Sequence, residues 1–408
     1  MTTSTRLPLL DPQRATKPAR RVGSVLGIIT PAGWVLLGVG IVLLGLGRYF
    51  GWLELYVPGI MALAIFLTAL GFVVGRSAYR VDLDLADHRV KVGEAANGAV
   101  VVTNVSKRRL LPAYITLPVG KSKNDFPLPS LAGGEQHEEI FSIPALRRAV
   151  VQVGPVYSVR GDALGVARRS LRWTDAEQVF IHPEIVSLAG ASSGVLRDLE
   201  GQSTRVLSDA DMSFHALRDY EPGDDKRHIH WRSTARLGRL VVKQFEDTRR
   251  THTAIVLSTN LGDYATADEA EIAISAAASL GVQATIDRRN FSVLAGTGHL
   301  RAGGGQSLLD DFSGLEVSSS QLGGLDLAKW VAKEVPDASV VFLIFGSQVD
   351  SAAVRASTAH IPAGVRVVSI QVSQGAPLKL DRTGMLSSAT LGALTDLGRL
   401  VRYAVNAQ

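Results

Sequence analysis

The chain has 408 residues, no cysteine and a formal net charge of +5. Its length allows two or three domains, and the missing cysteine excludes disulfides, thiolate nucleophiles and cysteine-ligated zinc or iron–sulfur centres. The positive charge would suit nucleic-acid binding, but part of the excess lies near the N-terminus, where membrane topology is the stronger explanation.

Two long uncharged stretches near the N-terminus predict a pair of transmembrane helices within residues 24–75. They cover residues 24–47 and 55–75, and each has the roughly 20 apolar residues that a helix needs to cross a bilayer. Pro31 either kinks the first span or marks its first turn. Tyr49, Trp52 and Tyr56 lie around the short connection, where aromatic side chains anchor helices at the interface.

Basic side chains predict the orientation of this hairpin. Residues 1–23 carry five arginine or lysine residues and one aspartate, and Arg76 and Arg80 follow the second stretch. The connection carries only Arg48 and Glu54, so the positive-inside rule predicts both ends in the cytoplasm. We therefore expect a multi-pass protein of the cytoplasmic membrane with a basic cytoplasmic N-terminus and the bulk of its chain in the cytoplasm. The basic N-terminus is then a topology and lipid-surface signal, and no nucleic-acid partner is expected.

Residues 81–188 predict an all-β, sandwich-like domain. Apolar and polar residues alternate, glycine and proline recur, and no helical periodicity is present. The expected strands lie within residues 89–105, 113–119, 138–146, 149–161 and 177–186.

Residues 251–408 predict an open α/β domain, because continuous apolar strands alternate with amphipathic helices. The expected strands are residues 253–259, 290–296, 338–346 and 365–372. The expected helices are residues 267–281, 305–315, 325–335, 350–359 and 389–405. Residues 189–250 form the junction between the two domains.

The junction contains the most heavily charged stretch, LRDYEPGDDKRHIHWRSTARLGRLVVKQFE, at residues 217–246. We expect a turn at Pro222–Gly223, a short helix from Trp231 that ends at Gly238, and a strand after it. Arginine suits bidentate carboxylate pairing and stacking on a ring, so the stretch is either a dedicated binding face or a structural clasp between the domains. The candidate binding residues are Arg218, Asp219, Tyr220, Gly223, Asp224, Arg227, Trp231, Arg232 and Arg236.

A degenerate metal site is expected after the first strand of the α/β domain, where open α/β folds place their ligands. In the von Willebrand type A version of this fold, an aspartate and two hydroxyls there bind a divalent metal. Ser258, Asn260 and Gly262 occupy this loop, and Asp263 lies too late in it to be a direct substitute. Ser347 and Asp350 follow the central strand. We expect no bound cofactor, with Mg²⁺ as the one candidate.

Two further patterns point to enzymes. His228 and His230 would share one face of an extended segment, and with His215 and Asp224 they could hold a metal in a hydrolase. Residues 190–194 match Gly-x-Ser-x-Gly but lack the strand-to-helix context of a nucleophile elbow, so we expect a flexible loop. Phosphate-loop, zinc-protease and dinucleotide motifs are absent from the sequence.

The charged stretch resembles the signature of the domain of unknown function 58 family. The positions of that pattern are occupied by Arg218, Tyr220, Gly223, Asp224, Ile229, Trp231, Ala235 and Arg236. Residues 147–166 resemble the stretch before the family's signature, although its Asp-Pro-Phe-Gly is Asp-Ala-Leu-Gly at 162–165. Two further departures are His230, where aspartate is frequent, and Ser258, which lacks the metal-binding carboxylate.

The resemblance implies paired membrane spans, a β domain and a von Willebrand type A-like α/β domain. It also implies association with a MoxR-type AAA+ ATPase and with other membrane proteins. The expected function is therefore a membrane-anchored cytoplasmic interaction or assembly module that is not itself catalytic. The alternative is the metal-dependent hydrolase built on the histidine and aspartate residues of the charged stretch.

Overall fold

The computed structural model describes residues 28–73, 78–162, 164–188, 213–246, 252–296 and 298–406. Two compact units divide the chain: one comprises Met1–Ala145 and Val150–Phe180, and the other comprises Leu146–Ala149 and Ile181–Gln408. The expected basic N-terminus at 1–23 and the Gly-x-Ser-x-Gly match at 190–194 lie outside the described residues.

The first unit begins with two long helices, α1 (Pro31–Phe50) and α2 (Leu53–Val73). Both are long and apolar enough to cross a membrane. The hydroxyl of Thr30 accepts the N–H of Gly33 at 3.1 Å and caps α1, so Pro31 marks the first turn and causes no kink. The expected bounds of the first span need correction, because residues 28–30 precede the helix and the helix continues past Gly47.

Glycines allow α1 and α2 to pack closely against each other. A Cβ atom added at Gly59 of α2 would lie 2.8 Å from the side chain of Leu44. A Cβ atom at Gly47 of α1 would lie 3.0 Å from the ring of Tyr56. Small residues at such contacts let two helix backbones approach, which is the usual way that helices associate in lipid.

The rest of the first unit is rich in strands. They are β1 (Tyr79–Leu85), β2 (Arg89–Lys91), β3 (Ala95–Asn104), β4 (Ala113–Val119), β5 (Ser122–Leu128), β6 (Gln136–Pro144), β7 (Ala149–Val153), β8 (Tyr157–Gly161), β9 (Arg168–Arg172) and β10 (Glu177–His182). One sheet has the order β1-β3-β6 and is antiparallel. The other has the order β2-β10-β7-β4-β8-β9, with β5 paired to β4. Neither order closes into a barrel.

The predicted strands of the first unit are present, with one division and three additions. The expected strand at 149–161 is divided into β7 and β8 by residues 154–156. The expected strands did not include β1, which precedes the first of them, or β5 and β9, whose exposed faces carry many charged residues and little apolar alternation.

The second unit opens with an antiparallel hairpin of β11 (Ser213–Asp219) and β12 (Val241–Glu246), with helix α3 (Trp231–Leu237) between them. The remaining strands are β13 (His252–Leu257), β14 (Asn290–Ala295), β15 (Gly298–His299), β16 (Val340–Phe345), β17 (Arg366–Val372), β18 (Lys379–Thr383) and β19 (Leu386–Leu391). The remaining helices are α4 (Ala267–Ile286), α5 (Gly305–Ser313), α6 (Leu327–Glu334), α7 (Ser351–Ser357) and α8 (Leu397–Asn406).

Strands β13–β19 form one mixed sheet in the order β15-β14-β13-β16-β17-β19-β18. Its five central strands are parallel, whereas β15 and β18 run antiparallel at the two edges. Alternate residues of β13 point into different cores: Ile255 lies in the core with α4, α5 and α8, and Val256 lies in the core with α6 and α7. Helices therefore cover both faces of the sheet, as the continuous apolar strands predict.

Two helix boundaries differ from those expected. Residues 389–391, expected in the last helix, belong to strand β19, and α8 begins only at Leu397. Helix α4 does not end at Gly281 but continues to Ile286. Gly281 lies where α4 meets α5, and a Cβ atom there would be 2.7 Å from the side chain of Leu308. This glycine provides room for a packing contact and does not mark a helix end.

Candidate functional site

The charged stretch forms a hairpin, which we call the motif hairpin (residues 213–246). Beyond the ladder of β11 and β12, the Tyr220 N–H donates to the Leu240 carbonyl at 3.0 Å. The His230 N–H donates to the Val241 carbonyl at 2.8 Å, and Ile229 forms a β-bridge with Val242. The segment between β11 and β12 carries α3, and we call it the excursion. It is thus hydrogen-bonded at several points to β12 and to the residue just before that strand.

Arg218 and Asp224 brace the turn of the motif hairpin. The Arg218 guanidinium donates to one carboxylate oxygen of Asp224 at 2.5 Å, and the Glu221 N–H donates to the other at 2.9 Å. The bond from Arg218, with the bond from the Glu221 N–H, lowers the pKa of Asp224 below its ordinary value. Gly223 between them has a φ of 117°, as the expected turn requires.

A second ion pair joins the two ends of the excursion. The Arg239 guanidinium lies 2.7 Å from a carboxylate oxygen of Asp219. Both side chains are exposed, so this pair contributes little to stability and mainly fixes geometry. Asp219 is therefore engaged within the hairpin, as Asp224 is.

His230 acts as the N-cap of α3. Its Nδ1 accepts the N–H of Ser233 at 3.2 Å and lies 2.8 Å from the Ser233 hydroxyl. Gly238, with a φ of 66°, ends the helix as predicted. Residues 226–228 form a short 3₁₀ helix, so the extended segment that would place His228 and His230 on one face is absent. That expectation is wrong, because Asp225 caps this turn and bends the chain.

Of the remaining candidate binding residues, Tyr220 is half-buried and the other four are exposed on the motif hairpin. Trp231 is 66% exposed, and Arg227, Arg232 and Arg236 are exposed as well. Within the part of the chain that the structure describes, no carboxylate forms an ion pair with any of these three arginines. We call these four residues the Trp–Arg surface. Trp231, Arg232 and Arg236 lie on α3. Arg232 and Arg236 are one turn apart and therefore neighbours, whereas Trp231 is rotated about 100° from Arg232 around the helix.

A second polar cluster lies at the carboxyl end of β13. The Ser258 hydroxyl donates to a carboxylate oxygen of Asp263, which also accepts the N–H of Gly324 at 2.6 Å. Although Asp263 comes late in the loop, the 3₁₀ turn Leu261–Asp263 returns its carboxylate to Ser258. That it does not substitute directly for the metal-binding aspartate stays a prediction. The Asn260 amide is engaged with the Gln321 carbonyl at 3.1 Å and with the Gly262 N–H at 2.9 Å.

The residues after β16 are engaged elsewhere. The Ser347 N–H donates to the buried carboxylate of Glu269 at 2.5 Å, and the Ser347 hydroxyl lies 3.1 Å from its other oxygen. Asp350 caps α7 by accepting the Ala352 N–H at 2.9 Å. Sequence reasoning did not select Glu269, because Thr266 and Glu269 match an ordinary capping box at the start of α4.

These arrangements bear on both expected metal sites. His230 and Asp224 already serve the cap and the turn, and the side chain of His215 is outside the described part of the structure. Among the residues that the structure describes, no group of three or more histidine, aspartate and glutamate side chains could hold a metal ion.

Comparison with known proteins supports the family resemblance. Residues 216–302, which include most of the motif hairpin, match the family described as "Protein of unknown function DUF58". No curated protein matches the chain.

Solved structures match only parts of the chain. One is the CARDB domain of a Pyrococcus furiosus protein, at 14% identity and a TM-score of 0.20, covering 26% of this chain and 94% of that one. Another is the C-terminal domain of wzt, at 8% identity and a TM-score of 0.22, covering 27% and 77%. A third is a β-glucosidase from Listeria innocua in complex with glucose, at 13% identity and a TM-score of 0.19, covering 28% and 18%. Scores this low support no argument about fold or function.

Proposed function

We propose that this chain is a membrane-anchored interaction module whose Trp–Arg surface docks an acidic patch on a cytoplasmic partner. The partner that the family resemblance implies is a MoxR-type AAA+ ATPase, acting together with other membrane proteins. In this proposal the chain has no catalytic role and serves to hold or assemble its partners at the inner face of the membrane.

The proposal rests on a difference between the arginines of the motif hairpin: some form ion pairs within the hairpin and others are exposed. Arg218 and Arg239 pair with Asp224 and Asp219, at 2.5 and 2.7 Å, and hold the excursion in place. Arg232 and Arg236 are exposed and one helical turn apart, beside the exposed Trp231. An ion-pair lattice that only held the hairpin together would use these arginines as well.

The chemistry of this surface favours an acidic protein partner. Tryptophan and arginine are the residues most enriched at the energetic centres of protein interfaces. Arginine's planar guanidinium can donate two parallel hydrogen bonds to one carboxylate. It is also more weakly hydrated than an ammonium group, so less hydration is lost on binding. The neighbouring guanidinium groups of Arg232 and Arg236, with the exposed ring of Trp231 and the exposed Arg227 on the same hairpin, therefore fit a surface that presents aspartate and glutamate.

Anchoring rests on α1 and α2, which are apolar and long enough to span a bilayer. The exposed Tyr49, Trp52 and Tyr56 lie around their connection, as interfacial anchors would. With the positive-inside rule, this supports both helix ends in the cytoplasm. For the α/β unit we propose a von Willebrand type A-like fold, which the parallel centre and the antiparallel strand β15 beside β14 support.

A pull-down in detergent tests the docking proposal. The full-length double variant Arg232→Ala/Arg236→Ala should recover much less of the MoxR-type ATPase of the same organism than the unsubstituted chain does. Arg355→Ala/Arg402→Ala is the matched control, because it removes two exposed arginines from the same unit far from α3 in sequence. Equal recovery by the two double variants, both folded by circular dichroism, would show that this surface does not dock the ATPase.

A further inference from the structure

Two loops of the first unit lie level with the membrane ends of its helices. The first comprises residues 162 and 164–168 and is attached to the start of α1. The Thr30 hydroxyl lies 2.6 Å from the Gly165 carbonyl oxygen, and the Thr30 N–H donates to the Val166 carbonyl at 3.1 Å. The Arg168 N–H donates to the Ile28 carbonyl at 2.8 Å. This loop is therefore bonded to the cap of the first span.

The length of α1 gives the depth of that loop. Its 20 residues make a helix about 30 Å long at 1.5 Å per residue, which equals the thickness of the hydrocarbon core. If α1 spans the bilayer, its first residue lies at the boundary of the hydrocarbon. Gly165 and Val166, bonded to the residue before it, then lie at the level of the lipid headgroups.

The second loop comprises residues 105–111 and is bonded to the chain that follows α2. The Val105 N–H donates to the carbonyl of Ala78, five positions after the last residue of α2, Val73. Val73 itself belongs to the same hydrophobic cluster as Val166 and Ala167 of the first loop. Both loops therefore belong to the side of the unit at which the two helices meet it.

The two loops expose apolar and basic side chains together. Leu164 is 68% exposed, Leu111 is 61% exposed and Val105 is 55% exposed. Exposed basic residues lie in the same two loops: Lys107, Arg108, Arg109 and Arg168. Within the described chain, no carboxylate pairs with these four basic side chains. Apolar tips among unpaired cations are the composition that binds the surface of an anionic bilayer.

A half-buried carboxylate and a buried amide hold the two loops in shape. The Asp162 carboxylate accepts the N–H groups of Leu164, Val166 and Ala167 at 2.9, 3.2 and 2.6 Å. The fully buried Asn104 amide donates to the Arg108 carbonyl at 2.9 Å and accepts the Ser106 N–H at 2.9 Å. These hydrogen bonds fix the backbone of each loop. The exposed side chains at the tips can therefore meet lipid with little further loss of backbone conformational entropy.

We propose that these loops form an interfacial surface that lies in the headgroup region of an anionic bilayer, with Leu164 and Leu111 reaching toward the acyl chains. The proposal rests on the membrane anchoring proposed above and adds a lipid class and a second point of attachment. It also assigns a role to the exposed cations of the first unit that does not involve the Trp–Arg surface.

Spin labels can measure the depth of these loops, because the chain has no cysteine and single cysteines are labelled specifically. The full chain is placed in nanodiscs of phosphatidylcholine and phosphatidylglycerol, with labels at Leu164→Cys and Leu111→Cys. Ile140→Cys is the aqueous control, since Ile140 is 72% exposed on β6. Its partner Ala99 pairs with Asp84, which lies roughly 17 Å along β1 from Tyr79. Val39→Cys, 47% exposed in α1, is the lipid control.

We expect oxygen to relax the labels at 164 and 111 more strongly than a water-soluble nickel complex does, as at Val39. The label at Ile140 should show the opposite order. Aqueous behaviour at 164 and 111 with lipid behaviour at Val39 would overturn the interfacial surface and leave the anchor intact. Aqueous behaviour at Val39 as well would overturn the anchor and this proposal together.

The choice of an anionic lipid has its own test. Adding Lys107→Glu/Arg108→Glu/Arg109→Glu to the Leu111→Cys chain should return the label at 111 to the aqueous behaviour of Ile140. Replacing phosphatidylglycerol by phosphatidylcholine should produce the same loss. An unchanged label in both cases, in a chain whose circular dichroism matches the parent, would show that the cations do not bind anionic headgroups.

Discussion

The hydroxyl of Ser258 donates a hydrogen bond to the carboxylate of Asp263, so a carboxylate reaches the end of β13 from five residues further along the chain. Asp263 also receives the Gly324 N–H, and burial raises the pKa of the neighbouring Tyr264, whose phenol donates to the Ser258 carbonyl at 2.5 Å. Ser258, Asp263 and Tyr264 are therefore hydrogen-bonded within this strand end, whereas the buried hydroxyl of Thr259 beside them has no hydrogen-bond partner among the described residues.

This closed arrangement predicts that Mg²⁺ does not stabilise the chain. Because Ser258 and Gly324 occupy Asp263, we expect the same melting temperature in excess Mg²⁺ and in chelator. Ser258→Asp places two carboxylates side by side and should melt lower in chelator, since like charges at this distance repel. A melting temperature of the unsubstituted chain that rises with Mg²⁺ concentration would instead reveal binding to the native state.

The Arg218–Asp224 pair predicts how the motif hairpin responds to acid. The pKa of Asp224 is below its ordinary value in the folded chain because Arg218 binds the carboxylate. The stabilisation is therefore present above the unfolded pKa, near 4, and disappears as pH falls through the lower folded value. We expect amide hydrogen exchange in residues 219–224, corrected for its intrinsic pH dependence, to accelerate below about pH 4. Asp224→Asn should exchange faster at neutral pH and lose this pH dependence.

An Arg218→Ala variant separates bracing from docking. Without its guanidinium, Asp224 loses one partner and the turn should exchange faster, as in Asp224→Asn. Arg232→Ala/Arg236→Ala should leave exchange in residues 219–224 unchanged, because neither arginine bonds to the turn. If this double variant also loosens the turn, Arg232 and Arg236 belong to the structural framework, and their proposed docking role loses its basis.

Asn104 predicts a large loss of stability on substitution. Its amide donates to the carbonyls of Arg108, Leu131 and Ala132 at 2.9, 3.0 and 2.9 Å, and the residue is fully buried. Asn104→Ala removes three hydrogen bonds of a buried amide, each worth about 0.5–1.5 kcal/mol, although each carbonyl keeps a second donor: the Ser106 hydroxyl, the Leu110 N–H and the Glu135 N–H, respectively. We expect a loss of roughly 3 kcal/mol or more in the free energy of unfolding by urea. Asn97→Ala, at an exposed position of the same strand, should change it by less than about 0.5 kcal/mol.

Gly346 predicts a steric effect at the end of β16. A Cβ atom there would lie 2.2 Å from the backbone oxygen of Asp263 and 2.5 Å from the ring of Tyr264. Neither atom is the end of a flexible side chain, so Gly346→Ala should destabilise the second unit by about 1–3 kcal/mol. Gly305→Ala meets open space at the start of α5 and should be neutral or slightly stabilising. Equal unfolding midpoints for the two variants would contradict this reading.

The sequence predicted local features of the motif hairpin well because their causes are local. Gly223 and Gly238 adopt the positive φ expected of them, and Trp231–Leu237 forms the short helix between them. It could not predict which charges pair, because Arg218 reaches Asp224 and Arg239 reaches Asp219 only after the strands have aligned. The division between bracing and outward arginines therefore appears only in three dimensions.

Other misses have the same origin. Residues 386–391 form strand β19 because β17 and β18 flank them, and their own apolar spacing also fits a helix. Glu269 follows Thr266 at capping-box spacing, but its carboxylate binds Ser347, which is remote in sequence. Long-range partners decide both cases, and a single sequence does not record them.

The hydrogen bonds between Thr30 and the Gly165–Val166 backbone determine how force passes between helix α1 and the strands of the first unit. A domain that is joined to its membrane helix by a flexible linker samples many orientations. Here the hydrogen bonds of the α1 cap and the β-bridge between Ile29 and Ala167 hold the strands of the first unit to the start of α1. In a bilayer, the strands of the first unit would therefore keep a fixed orientation relative to α1. A pull applied to those strands would be felt directly by the lipid-embedded helices.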